Sequence, residues 1–173
     1  LFGDDIKIIC TVRDINEILA SFIKLNPKWI DDTIKNEYNS GMRLNNFYKS
    51  DVEIKCEVLM SPTGQIDKNL CSLSNLLQPE NKKYLHLIEY NDLIENPKDV
   101  IDDLYEFLDI PYYYHHFTNI KKFKVNGIEY NDDVYECNLH EVRKEIKKVK
   151  YEIKDYLPEN VIKKYSNMEF WRN

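Results

Sequence analysis

Glycine is scarce in this chain of 173 residues, which contains only four. They are Gly3, Gly41, Gly64 and Gly127, and none stands in a GxxxxGKS or GxxxxGKT pattern or in a similar cluster. Loops that wrap a phosphate group with backbone N–H groups depend on closely spaced glycines. The sequence therefore excludes a Gly-rich phosphate loop within these residues.

Cysteine is also sparse, and its spacing argues against two classes of small fold. The four cysteines are Cys10, Cys56, Cys71 and Cys137, and no two of them form a CxxC pair. Cysteine zinc sites and dense disulfide scaffolds both need closer spacing than this. We therefore expect a reduced, intracellular protein with a cytoplasmic location.

Two adjacent histidines, His115 and His116, follow three tyrosines and raise the question of a metal site. Adjacent side chains rarely point the same way, and no cysteine or carboxylate stands near them at the spacing of a metal ligand. We therefore expect no metal.

Long hydrophobic runs are absent as well. No apolar stretch approaches the roughly 18 residues that a membrane span needs, so we expect no membrane partner. The formal net charge of −6 argues against a nucleic-acid-binding surface over the whole molecule. Hydrophobic residues make up 43% of the chain and charged residues 31%, which is typical of a soluble globular domain.

The most informative segment runs from Lys7 to Lys24. Residues 8–12, Ile-Ile-Cys-Thr-Val, form a β-favouring run without alternation, typical of a parallel strand buried on both faces. Asp14 can cap a helix that begins directly after it, and Glu17 completes a capping box. Apolar residues recur at helical spacing at Ile15, Ile18, Leu19, Phe22 and Ile23. The pattern predicts a strand followed by a helix whose apolar stripe faces the sheet.

Arg13 lies where this strand ends and the helix begins. Open α/β sheets bind ligands at this position, and the helix N-terminus favours anions there. Ser21 follows Asp14 by about two helical turns and returns to the same side of the helix. A guanidinium and a hydroxyl on one side suit a phosphate group, although Arg13 could equally be a structural ion-pair partner.

A strand, then Arg-Asp, then a serine eight residues after the arginine resembles the 3′-phosphate-binding segment of sulfotransferases. These enzymes use 3′-phosphoadenosine 5′-phosphosulfate as co-substrate. The resemblance implies that Arg13 and Ser21 hold the 3′-phosphate of that nucleotide.

A second block, from Tyr84 to Pro111, is similar to another segment of the same family. Residues 84–90 predict a strand that ends in a tyrosine, and an acidic turn follows. Asn96 and Pro97 then begin a helix with a strong apolar face. By resemblance Tyr90 approaches the adenine, and the alternative is an aromatic residue that packs on the next helix.

The C-terminal part predicts a helix from Asn138 or His140 to about Asp155, and it looks like that of some bacterial and viral family members. Better-known members clamp the 3′-phosphate there with an Arg-Lys-Gly loop. That tripeptide is absent here, so we expect Arg143 and Lys148 as substitutes, with a solvated charged face as the alternative.

Four further segments carry weaker signals. Helices are predicted at 43–50 and 66–77, the stretch 52–60 is ambiguous, and 119–133 predicts a loop or hairpin.

The resemblance implies an α/β fold like that of P-loop NTPases, with a three-layer parallel sheet, helices on both faces and a helix-rich C-terminal half. We expect a single domain, 1–173, that lacks its N-terminal portion, because only 7–12 and 84–89 predict confident strands. Five or so strands are usual in such a sheet. We expect residues upstream to supply the central strand with its phosphate loop, and the chain alone to be inactive.

The predicted function is sulfuryl transfer from 3′-phosphoadenosine 5′-phosphosulfate to a hydroxyl or amine of a small-molecule or glycan acceptor, which releases adenosine 3′,5′-bisphosphate. The family's usual general base lies upstream of the Arg13 segment, so no residue here is assigned as catalytic. Two alternatives stay open. One is a binding protein that kept the scaffold without catalysis, and the other is a nucleotide kinase of similar fold.

Overall fold

The computed structural model describes residues 6–25, 30–32, 49–122, 124–129 and 142–172. These residues belong to two units. The first comprises Leu1–Leu87 with Lys150–Asn173, and the second comprises Ile88–Val149. Most of the helix predicted at 43–50 lies outside the described residues.

Strand β1, Ile8–Val12, and strand β2, Leu85–Glu89, form a two-stranded parallel sheet. All of β1 and residues 85–87 of β2 belong to the first unit. Both strands were predicted. The expectation that β1 is buried on both faces is wrong, because Ile9 is 45% exposed whereas Val12 is 5% exposed. The strand therefore alternates between an inner and an outer face, although its sequence does not. The described residues form a small α/β arrangement, and a three-layer sheet is not seen among them.

Helix α1, Ile15–Leu25, begins where the sequence predicts. The Asp14 carboxylate accepts a hydrogen bond from the Glu17 N–H at 2.9 Å, which caps the first turn. The inner face of α1 is fully buried at Ile15, Leu19 and Ala20. The core of the unit is completed by Leu59 and Ile66 from the middle of the chain and by Leu157, Val161, Tyr165 and Trp171 from its C-terminal part.

The ambiguous stretch proves to be helix α2, Asp51–Leu59, with a capping box between Ser50 and Glu53. Helix α3, Gln65–Leu76, confirms the helix predicted at 66–77. The chain turns between them at Gly64, where a Cβ atom would lie 2.3 Å from the Val58 carbonyl oxygen. Only glycine allows so close an approach of the two backbones.

The second unit, Ile88–Val149, contains two helices and a hairpin among its described residues. Helix α4 spans Tyr90–Glu95 and helix α5 spans Pro97–Leu108, with the proline in the first turn as predicted. Strands β3, Lys124–Val125, and β4, Ile128–Glu129, pair in an antiparallel hairpin, as the sequence allowed. Its turn uses positive φ at Asn126 and Gly127.

The helix predicted from Asn138 or His140 to Asp155 is wrong over its described part. Residues 142–152 are not helical, and Glu145 forms an antiparallel bridge with Thr118. The Ile120 N–H donates to the Lys144 carbonyl at 2.8 Å, and the Ile146 N–H donates to the Phe117 carbonyl at 3.2 Å. Pairing between distant segments thus satisfies backbone groups that would bond locally in a helix.

The chain ends with short helical pieces. A 3₁₀ turn spans Ile153–Asp155, helix α6 spans Glu159–Lys164, and a last 3₁₀ turn spans Phe170–Arg172. Trp171 is buried in the core, whereas the adjacent Phe170 is 38% exposed. None of the helices among the described residues is both long and apolar enough to cross a membrane.

The buried face of α1 leads to a stability prediction. Leu19→Ala removes a side chain with 0% exposure and should lower the free energy of unfolding by about 2–5 kcal/mol. Leu25→Ala is the matched control, because the same substitution falls on the same helix at a residue that is 50% exposed. Its effect should stay within about 0.5 kcal/mol. Urea unfolding of the two variants measures both values, and equal losses would contradict the packing of α1.

Candidate functional site

Arg13 occupies the junction between β1 and α1, where its guanidinium contacts Glu17 and Tyr151. Its Nε donates to Glu17 Oε2 at 2.7 Å, and its Nη2 donates to the Tyr151 hydroxyl at 2.9 Å. The side chains of Arg13 and Glu17 are only 17% and 16% exposed. The ion pair that the sequence left open as the structural role of Arg13 is therefore present.

Tyr151 was not singled out from the sequence. It lies 138 residues beyond Arg13, and no local pattern marks it. Its hydroxyl donates to the Glu17 carbonyl at 3.0 Å, and its ring meets the Tyr156 ring edge-on at 5.7 Å between centroids. Lys24 Nζ lies 5.1 Å from the centre of the Tyr151 ring. Tyr151 thus links the Arg13–Glu17 pair to Tyr156 and Lys24.

Ser21 follows Glu17 by one turn of α1 and lies on the same side of the helix. It is half-buried. Among the residues that the structure describes, its hydroxyl has no hydrogen-bond partner. The Arg13 guanidinium, the Ser21 hydroxyl and the Lys24 ammonium therefore lie along one side of α1 together with the Glu17 carboxylate, so two cations and one anion stand there. The excess of positive charge suits an anion.

The N-terminus of α1 contributes less to an anion site than its position suggests. The Ile15 N–H donates to Glu169 Oε1 at 3.4 Å, and the Glu17 N–H donates to Asp14. Carboxylates of the protein itself therefore meet the first turn, where an external anion would otherwise bind. An anion at this junction depends on side chains.

A cavity of about 500 Å³ lies beside the junction, within the first unit. It is lined by β1, α1 and α3, and its walls include Arg13, Phe22, Asn69 and Trp171. Its volume falls within the range of roughly 300–1,000 Å³ that is usual for small-molecule sites. Cys10 also lines it, and burial raises the pKa of this thiol above its ordinary value, so the thiol stays protonated.

The other three predicted site residues belong to the second unit. Tyr90 is the first residue of α4, and Lys148 Nζ donates to Oδ1 of the adjacent Asn91 at 3.1 Å. The structure therefore brings Lys148 next to the first turn of α4, which contains Tyr90. Arg143 is exposed, and in the described part of the chain it has no hydrogen bond or ion pair.

No group of three or more His, Cys, Asp or Glu side chains within the described ranges could hold a metal ion. His115 instead shares a hydrogen bond of 2.9 Å with the Tyr105 hydroxyl through its Nε2. The histidine cluster therefore takes part in aromatic packing on α5.

Comparison with known proteins supplies one finding. A family model for the sulfotransferase domain matches residues 1–168. No curated protein and no solved structure gives a significant match. The family has a P-loop-like α/β fold, in agreement with the small parallel sheet and its helices. Because the match covers nearly the whole chain, the protein belongs to the sulfotransferase domain family.

Proposed function

We propose that this chain carries the nucleotide-binding part of a sulfotransferase that uses 3′-phosphoadenosine 5′-phosphosulfate, and that Arg13 and Ser21 bind the 3′-phosphate. The observation that carries the proposal is the placement of Arg13. Its guanidinium is fixed by Glu17 and Tyr151 on the side of α1 where the Ser21 hydroxyl lies without a partner in the described residues. A fixed guanidinium binds a phosphate with less loss of side-chain entropy than a mobile one.

The proposed reaction moves a sulfuryl group in line from the nucleotide to the acceptor. As the acceptor oxygen or nitrogen loses its proton and bonds to sulfur, the bond from sulfur to the 5′-phosphate oxygen breaks and adenosine 3′,5′-bisphosphate leaves. Holding the nucleotide in one register places the sulfur in line with the acceptor, as in phosphoryl transfer. Under the proposal, the Arg13 cluster supplies this register by binding the 3′-phosphate, away from the reacting bond.

Tyr90 is proposed to contact the adenine, and Lys148 is proposed to bind the 3′-phosphate as a substitute for the missing Arg-Lys-Gly loop. The contact from Lys148 to Asn91 supports a place for both residues in one site, because it puts the cation next to the first turn of α4, where Tyr90 lies. Arg143 stays a predicted phosphate-binding residue. The proposed acceptor is a small molecule or glycan with a hydroxyl or amine group.

Arg13→Ala should weaken the binding of adenosine 3′,5′-bisphosphate about 10- to 150-fold, because a hydrogen bond to a charged group contributes about 1.5–3 kcal/mol. AMP lacks the 3′-phosphate, so its affinity should not change. Calorimetry with both nucleotides measures the difference, and urea unfolding shows whether the variant is folded. An equal loss for both ligands, or none for either, would contradict the assignment of Arg13.

Tyr90 should act through its ring. Loss of a base–aromatic stack costs about 1–3 kcal/mol, so Tyr90→Ala should weaken nucleotide binding about 5- to 150-fold. Tyr90→Phe keeps the ring and should have a mild effect. Tyr113→Ala is the control, because Tyr113 belongs to the same unit and is 69% exposed. If the folded Tyr90→Ala protein keeps its affinity in calorimetry, Tyr90 does not contact the base.

A further inference from the structure

The Tyr151 hydroxyl uses both of its hydrogen-bonding functions on the Arg13 site. As a donor it contacts the Glu17 carbonyl at 3.0 Å, and as an acceptor it receives the Arg13 Nη2–H at 2.9 Å. A phenol has one hydrogen to donate, and here that hydrogen is directed at the backbone of α1. The oxygen lone pairs are thereby turned toward the guanidinium, so the direction of the contact is defined.

The ring that carries this hydroxyl is held on more than one side. Tyr156 meets it edge-on with an interplanar angle of 87°, and Lys24 Nζ lies over its face at 5.1 Å. Both contacts are of favourable geometry for an aromatic ring. Tyr151 thus presents its oxygen from a supported position in the C-terminal part of the first unit, far along the chain from β1.

Arg13 has contacts at two different nitrogen atoms. The contact from Nε to Glu17 does not by itself fix the plane of the guanidinium. The second contact, from Nη2 to Tyr151, defines the plane of the group. Arginine carries about 2 kcal/mol of rotamer entropy, and a group whose plane is already set loses less of it when it binds a phosphate.

We propose that Tyr151 is the positioning residue for Arg13, and that its hydroxyl sets the guanidinium plane in which the 3′-phosphate is bound. This inference rests on the proposed function of the same site. Tyr151 acts through Arg13, so its effect must be confined to ligands that carry a 3′-phosphate. It also explains why a residue so distant in sequence meets the β1–α1 junction.

Tyr151→Phe removes only the hydroxyl. The lost hydrogen bond has a charged donor and contributes about 1.5–3 kcal/mol, so the affinity for adenosine 3′,5′-bisphosphate should fall by at most about 10- to 150-fold. The affinity for AMP should stay at the wild-type value. The matched control is Tyr84→Phe, because Tyr84 is also half-buried and has a lysine, Lys83, over its ring at 4.6 Å. That variant should bind both nucleotides as the wild type does.

Tyr151→Trp is a second variant in case the phenylalanine form does not fold. The indole keeps an aromatic ring beside Lys24 and Tyr156 but offers no acceptor to the Arg13 N–H. Tyr151→Trp should lose affinity for the bisphosphate by a factor similar to that of Tyr151→Phe, and its affinity for AMP should not change. In an Arg13→Ala background, either substitution at Tyr151 should have no further effect on nucleotide binding.

The outcomes separate this inference from the proposed function. A wild-type protein that binds AMP as tightly as the bisphosphate would show that the 3′-phosphate site itself is misassigned. In a second outcome, the wild type binds the bisphosphate more tightly than AMP while Tyr151→Phe keeps the same ratio of affinities. That result would overturn only the role of Tyr151. A variant that loses both ligands to the same extent would show that Tyr151 merely supports the fold.

Discussion

The site depends on one constraint, the placement of the Arg13 guanidinium between the Glu17 carboxylate and the Tyr151 hydroxyl. These two contacts join β1, α1 and the C-terminal segment at the point where the strand ends. Arg13 is mostly shielded from water, so its charge is balanced by a close partner. Once Arg13 is fixed in this way, the positions of Ser21 and Lys24 relative to it follow from the geometry of α1.

One side of helix α1 packs in the core, and the side that carries Ser21 faces the proposed site. Its inner face packs Ile15, Leu19 and Ala20 into the core with residues from the C-terminal segment. Asn16 strengthens the same contact, because its Nδ2 donates to the Ile162 carbonyl at 3.1 Å. The packing that buries α1 thus also brings Tyr151 to the Arg13 side chain.

Local signals in the sequence located β1 and α1, although they did not reveal the exposed face of β1, and they failed where distant segments decide the structure. The Asp14 cap and the proline that begins α5 are readable from neighbouring residues, and both are present. The Arg13–Ser21 spacing is equally local, and its phosphate-binding role stays a prediction. Tyr151 carries no such signal, because its partner lies 138 residues away. Residues 142–152 have helical spacing of apolar residues, yet pairing with the segment around Phe117 overrides it.

The central claim is that the Arg13 cluster binds a 3′-phosphate, and a crystal structure of the protein with adenosine 3′,5′-bisphosphate tests it most directly. We expect 3′-phosphate oxygens at about 2.7–3.2 Å from the Arg13 guanidinium and from the Ser21 hydroxyl. The contact from Arg13 to Tyr151 should remain in the complex. A nucleotide whose 3′-phosphate lies away from both side chains would contradict the account.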